Sequence, residues 1–160
     1  ERKYEQEGGP SLRQCFELIR SCSSAPALDV LQLMDATFFN CLIGNGDAHG
    51  KNFSLLYRDQ QVRLAPLYDL VCTHAYPQLD PCYAMKLGRE RHPEKIRPSD
   101  FQILIKEAGL NETAALKRMK GLLKKVVKTA SEWPILSTQK AVTESIIRNA
   151  AWISRCLPEG

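Results

Sequence analysis

Apolar residues recur at helical spacing near the beginning of the chain. Leu12, Cys15, Phe16 and Ile19 stand at positions i, i+3, i+4 and i+7, which is the pattern of an amphipathic helix. Ser11 comes directly before them, where a serine hydroxyl can cap the first turn. The pattern predicts a helix that begins after this serine and ends in the Ser-Ser-Ala-Pro loop that follows.

A second segment, residues 28–43, has apolar side chains on almost every face of the helix that it would form. A helix with this pattern is usually buried at the centre of its domain. Gly44 follows directly, and glycine is the usual residue just past a helix end. The sequence therefore predicts a central helix whose C-terminal end leads into a glycine-rich loop.

Two short β-strands are predicted after that loop. Residues 53–57 and 62–65 are mostly apolar, and the polar residues 58–61 between them can form a turn. Pro66 closes this hairpin, because proline cannot continue the strand pairing. Residues 71–98 are rich in proline and basic side chains, so irregular structure is expected there.

Three helices are predicted in the last third of the chain. The first has Ser99 or Asp100 as its cap and ends at Gly109, Asn111 caps the second, and the third spans about Thr138 to Cys156. The inward positions expected on the last two helices are Ala115, Leu116, Met119, Leu122, Leu123, Val126 and Val127, then Ala141, Val142, Ile146, Ile147 and Ile153. The predicted fold class is mainly α with a small β-hairpin, an α+β arrangement.

Length and composition favour one domain. A chain of 160 residues with 44% hydrophobic residues can bury one sizeable core, so residues 1–160 are expected to form a single domain. The net charge of +4 is too small to indicate nucleic-acid binding by itself. The first residue is not Met and the first five residues are polar, so we expect a fragment of a longer protein.

The cysteines and the apolar runs bear on the location of the protein. None of the six cysteines forms a Cys-x-x-Cys motif, so we interpret them as reduced thiols, mostly in the core. No apolar run reaches the length that a membrane-spanning helix needs. A cytoplasmic protein without membrane contact is therefore expected.

The loop after the central helix carries candidate chemistry. Residues 44–52 read Gly-Asn-Gly-Asp-Ala-His-Gly-Lys-Asn, and a lone carboxylate, Asp69, follows the hairpin. Phosphoryl transfer from a nucleotide needs a carboxylate that takes a hydroxyl proton, and an amide and a second carboxylate that hold Mg²⁺. Asp47 could supply the first group, and Asn52 and Asp69 could supply the other two. Lys51 could neutralise a transferring phosphate.

Each of these residues also has an ordinary structural interpretation. An Asp beside glycine, such as Asp47, often binds backbone amides in a turn, and Asp69 could cap a turn or a helix. His49 most simply shapes the loop by bonding a backbone group or a carboxylate. Gly-Asp-x-His-Gly is also similar to the first motif of binuclear metallophosphoesterases. That family needs an Asn-His pair and further histidines, and only His74 and His92 remain.

Two groups of basic residues are candidate binding surfaces. Six lie on the second of the late helices and form either a solvated face or a contact surface for DNA phosphates or an acidic partner. They are Lys117, Arg118, Lys120, Lys124, Lys125 and Lys128. Five more, in the irregular segment, could face a substrate or a phosphate: Lys86, Arg89, Arg91, Lys95 and Arg97.

These motifs together resemble those of the HipA-like serine/threonine kinases, the toxins of type II toxin–antitoxin modules. The segments that carry the resemblance are residues 2–5, 8–10, 42–54, 63–69 and 84–88. The resemblance implies a protein-kinase-like fold, of which this chain is the helical C-terminal lobe. It also implies ATP and Mg²⁺ as cofactors, with Asp47 as catalytic base and Asn52 and Asp69 as Mg²⁺ ligands. Lys51 matches a lysine of the family's catalytic loop.

The resemblance also implies partners. Members of this family autophosphorylate on a serine, pair with a DNA-binding HipB-like antitoxin, and in some cases phosphorylate an aminoacyl-tRNA synthetase. Growth arrest and persistence of the cell follow from the activity of these toxins. The expected partners are therefore a protein substrate and an antitoxin. Contact with DNA is expected only indirectly, through the antitoxin.

One part of a kinase is missing from the sequence. A kinase needs a loop over the ATP phosphates and a strand lysine, and no Gly-x-Gly-x-x-Gly precedes Asp47. The N-terminal nucleotide-binding lobe is therefore expected to be absent from this chain. We expect the chain alone to have little or no kinase activity.

Two other functions remain open from the sequence. Small-molecule phosphotransferases of the aminoglycoside and choline kinase type use a related loop, His-Gly-Asp-x-His-x-x-x-Asn. That loop also places an Asn shortly after its Asp, as Asn52 follows Asp47, although Asn45 stands where that loop has its leading His. The chain could also be a non-catalytic module that docks an antitoxin or DNA on its basic helical face.

Overall fold

The computed structural model describes residues 2–133 and 139–158. Within these residues there are five α-helices and one two-stranded antiparallel hairpin. The helices are α1 (Leu12–Cys22), α2 (Pro26–Ile43), α3 (Pro98–Glu107), α4 (Glu112–Glu132) and α5 (Lys140–Cys156), and the strands are β1 (Leu55–Arg58) and β2 (Gln61–Leu64). The predicted fold class is confirmed. Thr138, the expected start of the last helix, lies outside the described residues.

The first helix has the cap that the sequence predicts. The Ser11 hydroxyl accepts a hydrogen bond from the Gln14 N–H (3.3 Å), and the Gln14 side chain accepts one from the Ser11 N–H (2.9 Å). This reciprocal capping box satisfies donors at the start of α1. The buried side of α1, with Leu12, Phe16 and Ile19, belongs to the core and faces α2.

The second helix is central, as its apolar pattern predicts. It packs against α1, α4, α5 and β2, and Leu33, Met34 and Leu42 are at most 1% exposed. The helix begins two residues earlier than expected, because Pro26 occupies its first turn, where a proline needs no N–H partner. Gly44 ends it in the left-handed conformation with a φ of 72°, which glycine adopts without strain.

The hairpin is tighter than predicted. The strands pair from Leu55 and Leu64 to Arg58 and Gln61, so a two-residue turn replaces the expected turn of residues 58–61. The turn residues, Asp59 and Gln60, have positive φ values of 49° and 61°. Two-residue turns of this kind follow the twist of the strands. Because the usual glycine is missing here, the sequence pattern indicated a longer turn.

A buried carboxylate joins the hairpin to α2. Asp29 is fully buried and accepts hydrogen bonds from the Ser23 hydroxyl (2.6 Å), the Arg63 guanidinium (2.9 Å) and the Leu64 N–H (2.9 Å). Burial raises the pKa of Asp29, but these hydrogen bonds and the Arg63 charge outweigh it, so the net pKa is lowered. These bonds hold β2 on α2 and thereby set where the chain continues towards Asp69.

The third helix begins earlier than predicted. Its first residue is Pro98, so neither Ser99 nor Asp100 is its N-cap. The Asp100 carboxylate instead accepts hydrogen bonds from the N–H groups of Arg97 (2.8 Å) and Arg89 (3.1 Å). The predicted cap was wrong because Pro98 takes the first helical position, and Asp100 caps from inside the first turn.

The last two helices pack on each other and on α2. Asn111 caps α4 as predicted, since its side chain accepts a hydrogen bond from the Ala114 N–H (3.0 Å). On α5 the predicted inward face is wrong at Ala141 and Ile147, which are exposed. Asn149, which is 3% exposed, faces inward instead. Apolar periodicity cannot identify a buried polar residue of this kind.

Residues 71–97 follow the irregular path that the sequence predicts, with two 3-10 turns at Thr73–Ala75 and Pro93–Lys95, whereas Pro98 already belongs to α3. All six cysteines are free thiols. Among residues 2–133 and 139–158, none of the helices has the length and apolar character that crossing a membrane requires.

Candidate active site

Hydrogen bonds from Thr73 and His74, in the irregular segment, fix the start of the glycine-rich loop. The Thr73 hydroxyl accepts a hydrogen bond from the Gly46 N–H (2.7 Å) and donates one to the Gly44 carbonyl (3.0 Å). The His74 N–H donates to the same carbonyl (3.0 Å). Gly44 has no room for a side chain, because a Cβ would lie 2.6 Å from Asn149 Nδ2 and 2.7 Å from the His74 side chain. The loop therefore leaves α2 in one fixed direction.

Asn45 joins the loop to the segment that carries Asp69. Its side chain is 1% exposed, and its Nδ2 donates to Asn40 Oδ1 (3.0 Å) and to the Asp69 carbonyl (3.1 Å). Its Oδ1 accepts a hydrogen bond from the Asp47 N–H (3.2 Å). One buried amide therefore sets the backbone of Asp47 relative to the backbone of Asp69.

Asn52 and Asp69 lie in direct contact. Asn52 Nδ2 donates to Asp69 Oδ2, and Asn52 Oδ1 accepts a hydrogen bond from the His49 N–H (3.0 Å). Asp69 has a positive φ of 56°, which is uncommon for a residue with a side chain. Strain of this kind is often found at functional sites.

The donor set of this pair fits a hard divalent cation. Amide and carboxylate oxygens are ligands that Mg²⁺ prefers. Asn52 Oδ1 has a second lone pair besides the one that the His49 N–H occupies, and the Asp69 carboxylate is on an exposed residue. Two protein ligands leave room for water and phosphate oxygens, which usually complete a Mg²⁺ shell.

The Tyr-Asp motif is attached to the same loop. The Tyr68 hydroxyl donates to the Lys51 carbonyl (2.7 Å) and lies 2.7 Å from Ser54 Oγ. Lys51 itself is exposed, directly before Asn52 in a short 3-10 turn, Gly50–Asn52. The structure therefore places Lys51, Asn52 and Asp69 around one surface.

Asp47 is held by two residues from near the start of the chain. The Tyr4 hydroxyl donates to Asp47 Oδ1 (2.7 Å), and Lys3 Nζ lies 3.3 Å from the same oxygen. Lys3 Nζ is also 4.5 Å from the centre of the Tyr4 ring. The pKa of Lys3 is raised by its interaction with Tyr4 and also by Asp47, against a lowering effect of desolvation. The Asp47 side chain remains 39% exposed.

A cleft of about 440 Å³ opens beside Asp47. Arg91 lines this cleft and donates to Asp80 Oδ2 (3.1 Å) and to the Gln6 side chain. The hydrogen bonds from Cys82 lower the pKa of Asp80, and the charge of Arg91 lowers it further. Of the five basic residues in the irregular segment, Arg91 is the one that lines this cleft.

His49 has a packing role. It is 7% exposed, its ring meets the Tyr4 ring edge-on at 5.9 Å, and its Nδ1 has no partner in the described part of the chain. The expected side-chain hydrogen bond is therefore not found at this nitrogen. In the same residues, no group of three or more His, Cys, Asp or Glu side chains could hold a metal. A binuclear phosphoesterase centre requires such groups, so the geometry does not favour that interpretation.

The basic residues of α4 differ in their surroundings. Arg118 donates to both carboxylate oxygens of Asp35 on α2 (2.6 and 2.5 Å), which makes it part of the helix packing. Lys128 lies 3.8 Å from Glu132. Lys117 is exposed, so a contact surface on this helix would rest on the lysines rather than on Arg118.

Four residues that shape this site were not singled out as functional in the sequence. They are Lys3, Tyr4, Asn45 and Thr73. Lys3 and Tyr4 contact a residue 44 and 43 positions away, a separation that local periodicity does not bridge. For Lys3 and Tyr4, the one signal in the sequence was that both lie in residues 2–5, a segment that carries the family resemblance.

Comparison with known proteins agrees with the loop motifs. A family model described as HipA-like C-terminal domain matches residues 1–133. A Sinorhizobium fredii protein provisionally named kinase Y4mE is 48% identical over 123 residues, which cover 77% of this chain and 29% of that protein. The serine/threonine-protein kinase toxin HipA of Shewanella oneidensis is 26% identical over 124 residues, which cover 78% of this chain and 28% of that protein. The matched part of the chain thus spans less than a third of the length of these relatives.

A solved structure has the same fold. It is a chain from the complex of the toxin–antitoxin system HipA, HipB and operator DNA of Shewanella oneidensis MR-1, with a TM-score of 0.81 and 24% identity. The match covers 96% of this chain and 40% of that chain. The similarity confirms the predicted fold, that of the C-terminal region of HipA.

Proposed function

Because this chain belongs to the HipA-like C-terminal domain family, we propose that it is the lobe of a serine/threonine-protein kinase toxin that carries the catalytic loop. Its relatives are named as kinases. The proposed reaction transfers the γ-phosphoryl group of ATP to a hydroxyl group of a protein. The contact between Asn52 and Asp69, tied through Asn45 to the backbone of Asp47, is the observation that supports this function best.

Asp47 is the proposed catalytic base. Its carboxylate takes the proton of the substrate hydroxyl while the hydroxyl oxygen bonds to the γ-phosphorus and the bridging oxygen leaves with ADP. The bonds from Tyr4 and Lys3 to Oδ1 hold the carboxylate in one orientation. The cleft beside it is large enough for a substrate side chain to approach.

Asn52 and Asp69 are the proposed Mg²⁺ ligands. When bound, Mg²⁺ would neutralise negative charge on the nucleotide phosphates. The protein contributes the placement: Asn45 holds the Asp69 carbonyl, and the His49 N–H orients the Asn52 side chain. Lys51, on the same surface, would offset the charge of the transferring phosphoryl group.

A second lobe completes the proposed enzyme. Residues 1–160 are the proposed C-terminal lobe, and the relatives are more than three times as long as the matched region. An N-terminal lobe would supply the phosphate-covering loop and the strand lysine that a kinase needs. We therefore expect only weak phosphotransfer from the chain alone. A HipB-like antitoxin is the proposed partner, with DNA reached through it, because the matching HipA structure is a complex with both.

Transfer of the γ-phosphoryl group from labelled ATP by the full-length protein tests this function. Asp47→Asn should lower the rate by about a hundredfold or more, as expected on loss of a general base. Asp59→Asn is a matched control, because Asp59 lies exposed in the hairpin turn and should leave the rate unchanged. Full activity of Asp47→Asn would refute the assigned role.

The choice of acceptor separates the two kinase classes. Protein extracts and a set of small alcohols, including aminoglycosides and choline, should be offered in parallel. Labelled protein without labelled small alcohols is the expected result. Transfer to a small alcohol alone would instead support the aminoglycoside or choline kinase type.

A further inference from the structure

A second cavity lies next to Gly44, at the start of the glycine-rich loop. It has a volume of about 570 Å³ and lies between α5 and residues 74–97, and this volume is typical of small-molecule sites. None of Asp47, Asn52 and Asp69 lines it. Its wall includes His74 and Asn149, the two side chains that lie against Gly44.

Positive charge dominates this cavity. Arg97, Arg148 and Arg155 line it, whereas Glu94 is the one carboxylate among the lining residues. In the described part of the chain these three arginines form no salt bridge. Other arginines of the fold are paired with aspartates, namely Arg63, Arg91 and Arg118. Arg97 donates only to backbone carbonyls, those of Glu94 (3.1 Å) and Ile96 (3.3 Å). Three guanidinium groups without a carboxylate partner around one cavity favour an anionic ligand.

The positive charge of two of these arginines acts on Cys156, which lines the cavity. Burial raises the pKa of the Cys156 thiol, and the nearby charges of Arg97 and Arg155 partly oppose this. Arg148 uses one terminal nitrogen for the His74 carbonyl and the Ser145 hydroxyl, each at 3.3 Å. Because a guanidinium has five N–H groups, most of its donors remain for a ligand.

Two polar groups in the wall have no partner. Trp152 Nε1 and His92 Nδ1 are buried and make no hydrogen bond in the part of the chain that the structure describes. A buried group without a partner costs stability, so such groups are few in native proteins and need an explanation. Both residues line the cavity, and a small shift of either ring would give a ligand oxygen access to its nitrogen.

We propose that this cavity binds a small phosphate-bearing molecule with a flat aromatic ring, such as a nucleoside monophosphate. Guanidinium groups bind phosphate oxygens in a bidentate manner, with strong, charge-assisted hydrogen bonds. Tyr76, Leu79 and Trp152 supply apolar surface for the body of the ligand. The ligand would contact His74 and Asn149. Because both side chains lie against Gly44, the ligand would bind next to the start of the glycine-rich loop.

Trp152 offers a local reporter for binding. The chain has two tryptophans, and Trp133 is 56% exposed and does not line the cavity. In a Trp133→Phe background, AMP added without Mg²⁺ should change the Trp152 fluorescence in a saturable way. Adenosine, which lacks the phosphate, should bind at least tenfold more weakly, about the effect of losing one charge-assisted hydrogen bond.

Three variants in the same background locate the site. Arg155→Gln should weaken AMP binding about tenfold or more. Lys117→Gln removes the same charge from the exposed face of α4, and Asp69→Asn alters the proposed metal ligand, so neither should change the AMP affinity. Circular dichroism should show that all variants are folded, so that a loss of binding is not a loss of structure.

Several results would overturn the proposal. These are an unchanged Trp152 signal at millimolar AMP, equal weakening by Arg155→Gln and Lys117→Gln, and equal affinity for adenosine and AMP. Tighter binding of a phosphoserine peptide than of AMP would also overturn it, because the occupant would then be a protein segment. A failure of kinase activity would not affect this test, because fluorescence reports binding alone.

Discussion

Replacing Asp29 with alanine tests the link between α2 and the hairpin. The change removes the acceptor of three groups: the Ser23 hydroxyl, the Arg63 guanidinium and the Leu64 N–H. The Leu64 N–H is then left buried without a partner, which costs about 1–3 kcal/mol. The lost bond from Ser23 adds about 1 kcal/mol.

The loss of the Arg63 pair adds less than a buried ion pair would. The Arg63 side chain is 38% exposed, so water can solvate the guanidinium, and about 0.5–1 kcal/mol is appropriate. We therefore expect Asp29→Ala to lower the free energy of unfolding by about 2.5–5 kcal/mol. Asp29→Asn keeps one acceptor oxygen and should lower it by about half as much.

The effect of Asp29 should also depend on pH. Its folded pKa is lowered, so its contribution to stability is present above the unfolded pKa of about 3.9. The contribution is lost as the pH falls through the folded pKa. The difference in unfolding free energy between the wild type and Asp29→Asn should therefore be constant between about pH 5 and 7 and shrink below about pH 4.

Urea unfolding followed by circular dichroism measures these free energies. The matched control is Asp59→Asn in the exposed hairpin turn, which should stay within about 0.5 kcal/mol of the wild type. An effect of Asp29→Ala below about 1 kcal/mol would refute the reasoning. So would a difference for Asp29→Asn that is as large at pH 3 as at pH 7.

Three further predictions concern the packing and capping of the fold. Gly44→Ala should destabilise the fold by about 2 kcal/mol or more in urea unfolding, because a Cβ would lie 2.6 Å from Asn149 Nδ2 at a φ of 72°; wild-type stability would contradict this. Cys41 should resist iodoacetamide at pH 8 until the chain unfolds, because burial raises its pKa to about 12; rapid alkylation in mass spectrometry would contradict this. Asn111→Ala should cost about 1 kcal/mol of unfolding free energy through loss of the α4 cap, and an unchanged value would show that the bond to the Ala114 N–H is not needed.

The parts of the fold with local signals could be predicted from the sequence. The capping serine before α1, the apolar faces of α2 and Gly44 at its end all act over a few residues, and the structure has each of them. The exceptions also have local causes. Pro98 moved the start of α3, and a turn without glycine, Asp59-Gln60, shortened the loop of the hairpin.

The candidate site was predictable only in part. Asp47, Asn52 and Asp69 could be selected by residue type and spacing, and the structure places the last two in contact. Asn45 and Tyr4 could not, because their roles depend on distant partners. Asn149 was missed because it is buried where periodicity leads one to expect apolar residues, and its Nδ2 donates to the Leu42 carbonyl there (3.4 Å).

The central claim is that Asn52 and Asp69 hold a metal–nucleotide complex beside Asp47. Calorimetric titration of the full-length protein with Mg²⁺–ATP, beside Asp69→Asn and the control Asp59→Asn, tests it most directly. We predict binding by the wild type and by the control, and at least tenfold weaker binding by Asp69→Asn, about the effect of losing one charged ligand. Equal affinity of all three proteins, or tight binding of the metal without nucleotide, would contradict the claim.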